Sequence, residues 1–301
     1  MPPRQGLDWE RDGADWPLRQ YSRLVQTPRL RWHVQYAPHA DAQAPTVLLL
    51  HGTGASTHSW REVFPLLSAH YSVLALDFPG HAFTQTPAPA AVPTLFSLPG
   101  MAAGVAELLA HMGIVPHTVV GHSAGAAVAC MLSLDGHLRP QRIVSVNGAL
   151  LPLDGLAGQL FSPMAKLLAK APWVPELFSW QAAQPAVLQR LLDGTGSTLG
   201  VQGRALYQQL ITQPAHGAGA LAMMAHWDLH TFWTRLPALE APLALIVGEQ
   251  DLIVPPSVAE RAAASLLRQP KPPITRLLGL GHLAHEEQPQ LAAQCILRAM
   301  Q

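Results

Sequence analysis

A chain of 301 residues, 49% hydrophobic and 13% charged, buries a sizeable core as one large α/β domain or two smaller ones, and is too apolar to be disordered. Its 19 Lys and Arg balance 19 Asp and Glu, so no basic field attracts nucleic acid or anionic lipid. The opening stretch MPPRQGLDWERDGADWP carries acids early, unlike a secretory signal, and no run of about 20 apolar residues spans a membrane; the expected location is cytoplasmic.

LRWHVQYA (30–37) alternates apolar and polar residues and predicts an antiparallel hairpin at a sheet edge. TVLLLHG (46–52), SVLALD (72–77), TVVGH (118–122), RIVSVN (142–147) and LALIVGE (243–249) are short apolar runs of the kind buried on both faces of a parallel sheet. Between them, 59–69, 98–112 and 124–134 space their apolar residues three and four apart, as helices do. Strand and helix in alternation imply right-handed crossovers and a mostly parallel central sheet flanked by helices. From 151 to 237 the rhythm breaks into helical patterns punctuated by Pro and Gly, with no strand among them. The expectation is an α/β core of residues 1–150 and 238–301, with a helical cap inserted at 151–237. The two cysteines, Cys130 and Cys295, lie in helix-like apolar stretches and read as buried thiols of a reducing compartment.

TVVGHSAGAAVA (118–129) sets Ser123 between Gly121 and Gly125, where a predicted strand gives way to a predicted helix. A glycine-rich turn with an incidental serine has the same letters. The strand-to-helix context instead fits a nucleophile elbow, a strained turn whose flanking positions have room only for glycine. A serine hydroxyl is a weak nucleophile without a base to take its proton and an acid to orient that base. Asp251, in LIVGEQDLIVPP, follows a predicted strand; its competing role is to cap the next helix, for which Ser257 is better placed. His282, in LLGLGHLAHEEQP, follows the last apolar run, and its competing role is that of a buried, satisfied histidine. Three segments in the order Ser, Asp, His favour the triad. In HGTGAST, the glycines Gly52 and Gly54 let the backbone approach a substrate closely. Thr53 N–H and Ala124 N–H are the candidate oxyanion donors.

HGTG (51–54), DFPGH (77–81), GHSAG (121–125), GEQD (248–251) and GHLAHEEQP (281–289) together resemble the α/β-hydrolase superfamily over nearly the whole chain. The resemblance implies catalytic roles for Ser123, Asp251 and His282, an oxyanion hole of Thr53 and Ala124, and no cofactor. Ala82 departs from the glycine many relatives carry after DFPGH, which is expected to alter loop shape rather than chemistry. More narrowly, LDWERDGADWP, LLLHGTGASTHSW, SLPGMA, VNGALLPLDGLAG, LFSPMAKLLA and MMAHWDL resemble the magnesium-chelatase accessory proteins of bacteriochlorophyll biosynthesis, cap included. That likeness implies a place beside magnesium insertion into protoporphyrin, with chelatase subunits as partners. No Gly-x-x-x-x-Gly-Lys-Ser/Thr loop is present, so the chain is not the ATP-driven chelatase subunit.

Two readings of function compete. One is an esterase-type serine hydrolase acting on a small apolar substrate or a tetrapyrrole ester. In the cap, Phe161, Met164, Leu167, Trp173, Met223, Met224 and Trp227 suggest a large apolar ligand, although each singly reads as cap packing. The other is a non-catalytic protein that holds a tetrapyrrole or docks the chelatase. His226 and His230, four apart on a predicted helix, could then face a bound magnesium; with no third ligand and no HExxH pattern, a structural role is favoured for both. His122 reads as pocket floor. Carbon–carbon hydrolysis, a lyase reaction or peroxidase-like chemistry on the same triad stays open. A serine at this position disfavours haloalkane dehalogenase and epoxide hydrolase chemistry, which use aspartate there.

Overall fold

The computed structural model describes residues 6–152, 171 and 173–301. At its centre is an eight-stranded sheet in the order β1-β2-β4-β3-β5-β6-β7-β8. β1 (Ser22–Gln26) and β2 (Arg31–Ala37) form the expected antiparallel hairpin at one edge. β2 also runs antiparallel to β4 (Ser72–Leu76). β3 (Thr46–Leu50), β5 (Thr118–His122), β6 (Arg142–Val146), β7 (Leu243–Gly248) and β8 (Ile274–Leu277) complete the parallel part.

Successive side chains of a strand leave opposite faces, so a fully apolar strand needs cover on both. Leu48, Leu50, Leu74 and Leu76 pack with helices α2 (Leu98–Met112) and α3 (Ala124–Leu134). Val47, Leu49, Val73 and Ala75 pack on the other face with α1 (Val63–Ser68) and, at the end of the chain, α11 (Pro289–Met300). α2 starts where the Ser97 hydroxyl accepts the Gly100 N–H and stops at Gly113, whose φ is 66°.

The single helix expected over 59–69 is instead a 3₁₀ turn, Thr57–Trp60, followed by α1. Pro65 is the reason. Proline in a helix interior lacks an N–H and clashes with the preceding turn, whereas in the first turn of a new helix it is tolerated.

Between β6 and β7 the described residues form α4 (Val174–Ala182), α5 (Pro185–Asp193), α6 (Val201–Ile211), α7 (Pro214–His226) and α8 (Leu229–Arg235), with no strand among them. α9 (Ser257–Ser265) and α10 (Ala284–Glu287) flank β8. No single helix among the described residues is long and apolar enough to cross a membrane.

Cys130 is fully buried in α3, where loss of hydration pushes its thiol up to about 12. Native protein treated with iodoacetamide at pH 8 is therefore expected to leave Cys130 unmodified, while denatured protein reacts there fully. Stoichiometric native labelling of Cys130 by peptide mass mapping would contradict this packing.

Candidate functional site

β5 ends at His122 and α3 begins at Ala124, so Ser123 alone makes the turn, at φ 53° and ψ −118°. A side chain there costs on the order of 1–3 kcal/mol and persists only when its surroundings impose it. The neighbours do so. A Cβ on Gly121 would stand 2.4 Å from the backbone of Gly125, and one on Gly125 would stand 2.4 Å from the Leu50 carbonyl oxygen of β3. Ser123 N–H donates to the Val146 carbonyl of β6 (3.0 Å), and its own carbonyl accepts from Ala126 N–H (3.1 Å) and Ala149 N–H (3.0 Å).

The predicted residues Ser123, His282 and Asp251 come together in one hydrogen-bonded series. Ser123 Oγ lies 3.0 Å from His282 Nε2, and His282 Nδ1 lies 2.7 Å from Asp251 Oδ2. Asp251 Oδ1 accepts from Ile253 N–H (2.8 Å) and Val254 N–H (2.7 Å), which fixes the carboxylate in its turn. With Oδ2 as an acceptor, the Nδ1 of His282 carries the proton and the Nε2 lone pair faces the serine. Neither Asp251 nor Ser257 caps α9.

Asn147 belongs to the same group and carries no such role in the sequence reading. It sits just past β6 at φ 48°, and its Nδ2 donates to Asp251 Oδ2 (2.7 Å) and, at 3.3 Å, to the Gly281 carbonyl. An asparagine between a buried strand and a glycine was the only sequence signal, since asparagine accepts left-handed conformations more readily than most residues.

Thr53 and Ala124 line one cavity with Ser123 and His282. Gly52 brings the Thr53 loop against the elbow: a Cβ there would lie 3.0 Å from Ser123 Cβ and 2.9 Å from His122 Nδ1. The cavity is about 470 Å³, and its wall includes Leu188, Leu192, Ile211, Met224 and Trp227. Met223 instead is fully buried, its Sδ accepting from Thr53 Oγ1 (3.4 Å), and Trp173 is 62% exposed, away from the cavity. Phe161, Met164 and Leu167 lie outside the described residues.

His226 and His230 do not share a helix. α7 ends at His226 and α8 begins at Leu229, because Trp227 is extended at φ −83°, ψ 112° and Asp228 caps the new helix. His226 Nδ1 donates to the Ala222 carbonyl (2.9 Å), and only His230 lines the cavity. Among the described residues no cluster of three or more His, Cys, Asp or Glu side chains is arranged to hold a metal ion.

Buried imidazoles back the site. His122 Nε2 donates to the His282 carbonyl (2.8 Å), and its ring lies 4.8 Å from that of His282 and 4.4 Å from that of His285. His216, on α7, joins two core loops: its Nε2 donates to the Gly54 carbonyl (3.0 Å), and its Nδ1 accepts from Ala82 N–H (3.0 Å). Ala82 takes the left-handed conformation, φ 41°, without a glycine. Burial holds His216 down to about 4 and His285 to about 3, and lowers His51, His58, His81 and His122 as well, so all six are neutral.

A second Ser–His–Asp series lies across the sheet. Ser22 Oγ is 3.1 Å from His33 Nε2, and His33 Nδ1 is 2.7 Å from Asp77 Oδ2. Asp77 is held down to about 2; burial opposes this, and His33 and the Thr57 N–H overcome it. Ser22 has ordinary extended backbone, φ −76° and ψ 139°, and does not line the cavity.

Residues 45–289 match the family model described as alpha/beta hydrolase fold. The chain is 39% identical over 273 residues to the magnesium-chelatase 30 kDa subunit of Rhodobacter capsulatus, covering 91% of this chain and 92% of that protein. It is 24% identical to an uncharacterized hydrolase of Bacillus subtilis, over 88% of this chain and 93% of that one. Among solved structures, the enol-lactonase from Burkholderia xenovorans superposes with a TM-score of 0.72 at 17% identity, covering 92% of this chain and 99% of the other.

The neutral imidazoles set a pH dependence for the whole molecule. A histidine whose folded pKa is lowered takes up its proton only on unfolding, so its stabilisation is complete above about 6.5 and is lost as pH falls. His216 and His285 alone should each remove about 1 kcal/mol per pH unit between pH 6.5 and 4. Glu286, whose carboxyl burial raises to about 7, acts in the opposite sense by about 1 kcal/mol per unit, so urea unfolding across that range should show the folding free energy dropping by at least about 1 kcal/mol per unit. A flat profile would mean that these rings are solvated or charged in the fold.

Proposed function

Because the chain belongs to the alpha/beta hydrolase family, we propose that it is a serine hydrolase of the esterase type, working as an accessory protein to magnesium chelatase. The observation that carries the hydrolase reading is Ser123, held at φ 53° on the floor of an apolar cavity with its Oγ 3.0 Å from His282 Nε2. The accessory role rests on the 39% identity to a chelatase subunit.

In this reading, Ser123 Oγ attacks the carbonyl carbon of a bound ester while its proton passes to His282 Nε2. Asp251 keeps the imidazole in its Nδ1–H tautomer and stabilises the imidazolium. The N–H groups of Thr53 and Ala124 receive the negative charge on the carbonyl oxygen. Collapse expels the alcohol, which takes the proton from His282, and leaves an acyl-serine. Water, deprotonated by the same nitrogen, then attacks the acyl carbon, and the acid leaves as the bond to Ser123 Oγ breaks and that oxygen recovers its proton from His282. The described helices between β6 and β7 supply part of the cavity wall, and its leucines and Trp227 select an apolar substrate, tetrapyrrole esters included.

A fluorophosphonate read by intact mass tests the nucleophile. Wild type and Ser22→Ala should gain one adduct, and Ser123→Ala none. With p-nitrophenyl esters, Ser123→Ala should lower kcat by roughly four to six orders of magnitude without loss of fold, and Asp251→Asn by about 10⁴. The likeness to a chelatase subunit and the exposed imidazole of His230 on the cavity wall support a second reading, a tetrapyrrole-binding protein without hydrolysis. A folded protein that takes up no fluorophosphonate but binds protoporphyrin in a titration would favour that one.

A further inference from the structure

The segment Thr195, Gly196, Ser197, Thr198 joins α5 to α6 and lies about 90 residues from His282 in sequence, yet it holds the backbone on both sides of that histidine. His282 N–H donates to the Thr195 carbonyl (3.0 Å). Leu283 N–H donates to Ser197 Oγ (2.8 Å), and the Ser197 hydroxyl in turn donates to Glu287 Oε2 (2.8 Å). The same Oε2 accepts from Gly281 N–H (2.8 Å), and Glu287 Oε1 accepts from Thr198 N–H (2.9 Å). The amides of residues 281, 282 and 283 are thus all held by this segment or by the carboxylate it grips.

The approach leaves no slack. Gly196 has φ 72°, and a Cβ on it would fall 2.0 Å from the Gln250 carbonyl, next to Asp251; a Cβ on Gly281 would fall 2.4 Å from the backbone of Gly196. The segment is therefore wedged between the loops that carry Asp251 and His282. It is also continuous with the cavity wall, since Leu188, Leu191, Leu192 and Thr195 all line the cavity.

We propose that Glu287 and Ser197 are positioning residues for His282, clamping its loop to the 195–198 segment so that the cavity wall and the base move as one body. Neither residue lines the cavity. The proposal rests on the reading of His282 as the base. An ångström of misplacement between reacting groups costs up to about 10²-fold in rate, whereas binding to an unchanged wall is unaffected. Replacing the Ser197 hydroxyl strands Leu283 N–H. Replacing the Glu287 carboxylate by an amide turns one acceptor into a donor facing Thr198 N–H or Ser197.

The test compares Ser197→Ala, Ser197→Thr and Glu287→Gln with wild type by p-nitrophenyl ester kinetics and by hydrogen exchange of the peptide spanning 281–283. Ser197→Ala and Glu287→Gln should lower kcat roughly tenfold to a hundredfold, leave KM within about twofold, and speed exchange at 281–283. Ser197→Thr, which keeps the hydroxyl, should restore both. Wild-type kcat and unchanged exchange in Ser197→Ala would overturn the proposal, as would a loss that Ser197→Thr does not repair. If Glu287→Gln fails to fold, the Ser197 pair decides. If wild type itself turns over no ester, the hydrolase reading fails, and exchange at 281–283 alone upholds or overturns the clamp.

Discussion

The close contact between the first turn of α3 and the end of β3 governs the site. Gly125 sits against the carbonyls of Leu50 and His51 with no room for a Cβ, so α3 begins in direct contact with the sheet. The chain must turn from strand to helix within one residue, and Ser123 takes up the whole turn in a conformation serine does not choose. β6 supplies the compensation, since its last residue, Val146, accepts the Ser123 N–H. The strain is imposed by buried strands on either side. The hydroxyl is left at the carboxyl ends of the parallel strands, where the loops carrying Asp251, His282 and Thr53 also converge.

The second series, Ser22–His33–Asp77, shows what distances alone are worth. Its two hydrogen bonds, 3.1 and 2.7 Å, nearly match the 3.0 and 2.7 Å of the first. Its serine, however, is unstrained and accepts an amide hydrogen from Gln35 Nε2 (3.2 Å), and it does not line the cavity that holds Ser123. Asp77 is occupied by Thr57 N–H and Phe83 N–H, so the series fastens the β1–β2 hairpin to the loops at the strand ends. A reactive serine needs room for a carbonyl and donors aimed at its oxygen, and in the proposed mechanism the elbow and the Thr53 loop supply those.

The sequence shows local periodicity well and long-range contact poorly. Buried parallel strands announce themselves as unbroken apolar runs, and the elbow announces itself because only glycine fits at positions 121 and 125. Pro65 divides a helix that spacing alone runs together, and the break at Trp227 separates two histidines that a helical count puts on one face. Asn147 and the 195–198 segment were not legible as parts of the site. Their roles arise from partners roughly 90 to 130 residues away, Asp251 and Gly281 for the first, His282 and Glu287 for the second. Ser and Thr beside Gly in a loop look the same whether they meet water or a buried amide.

These long-range contacts bear on how the cavity wall is tied to the proposed catalytic residues. The residues that wall the cavity on the α5 side run without interruption into the segment that grips the His282 loop, and His216 of α7 reaches the carbonyl of Gly54, next to Thr53. Helices outside the sheet therefore touch the neighbourhood of the proposed base and of the proposed oxyanion donor through buried and part-buried hydrogen bonds. A substitution that reshapes the wall on the side of α5 or α7 also perturbs those bonds, whereas the Ser123 backbone is held by Val146, Ala126 and Ala149, outside those helices. In the proposed mechanism, specificity and alignment of the base are therefore coupled, while the backbone of the proposed nucleophile is held by separate bonds.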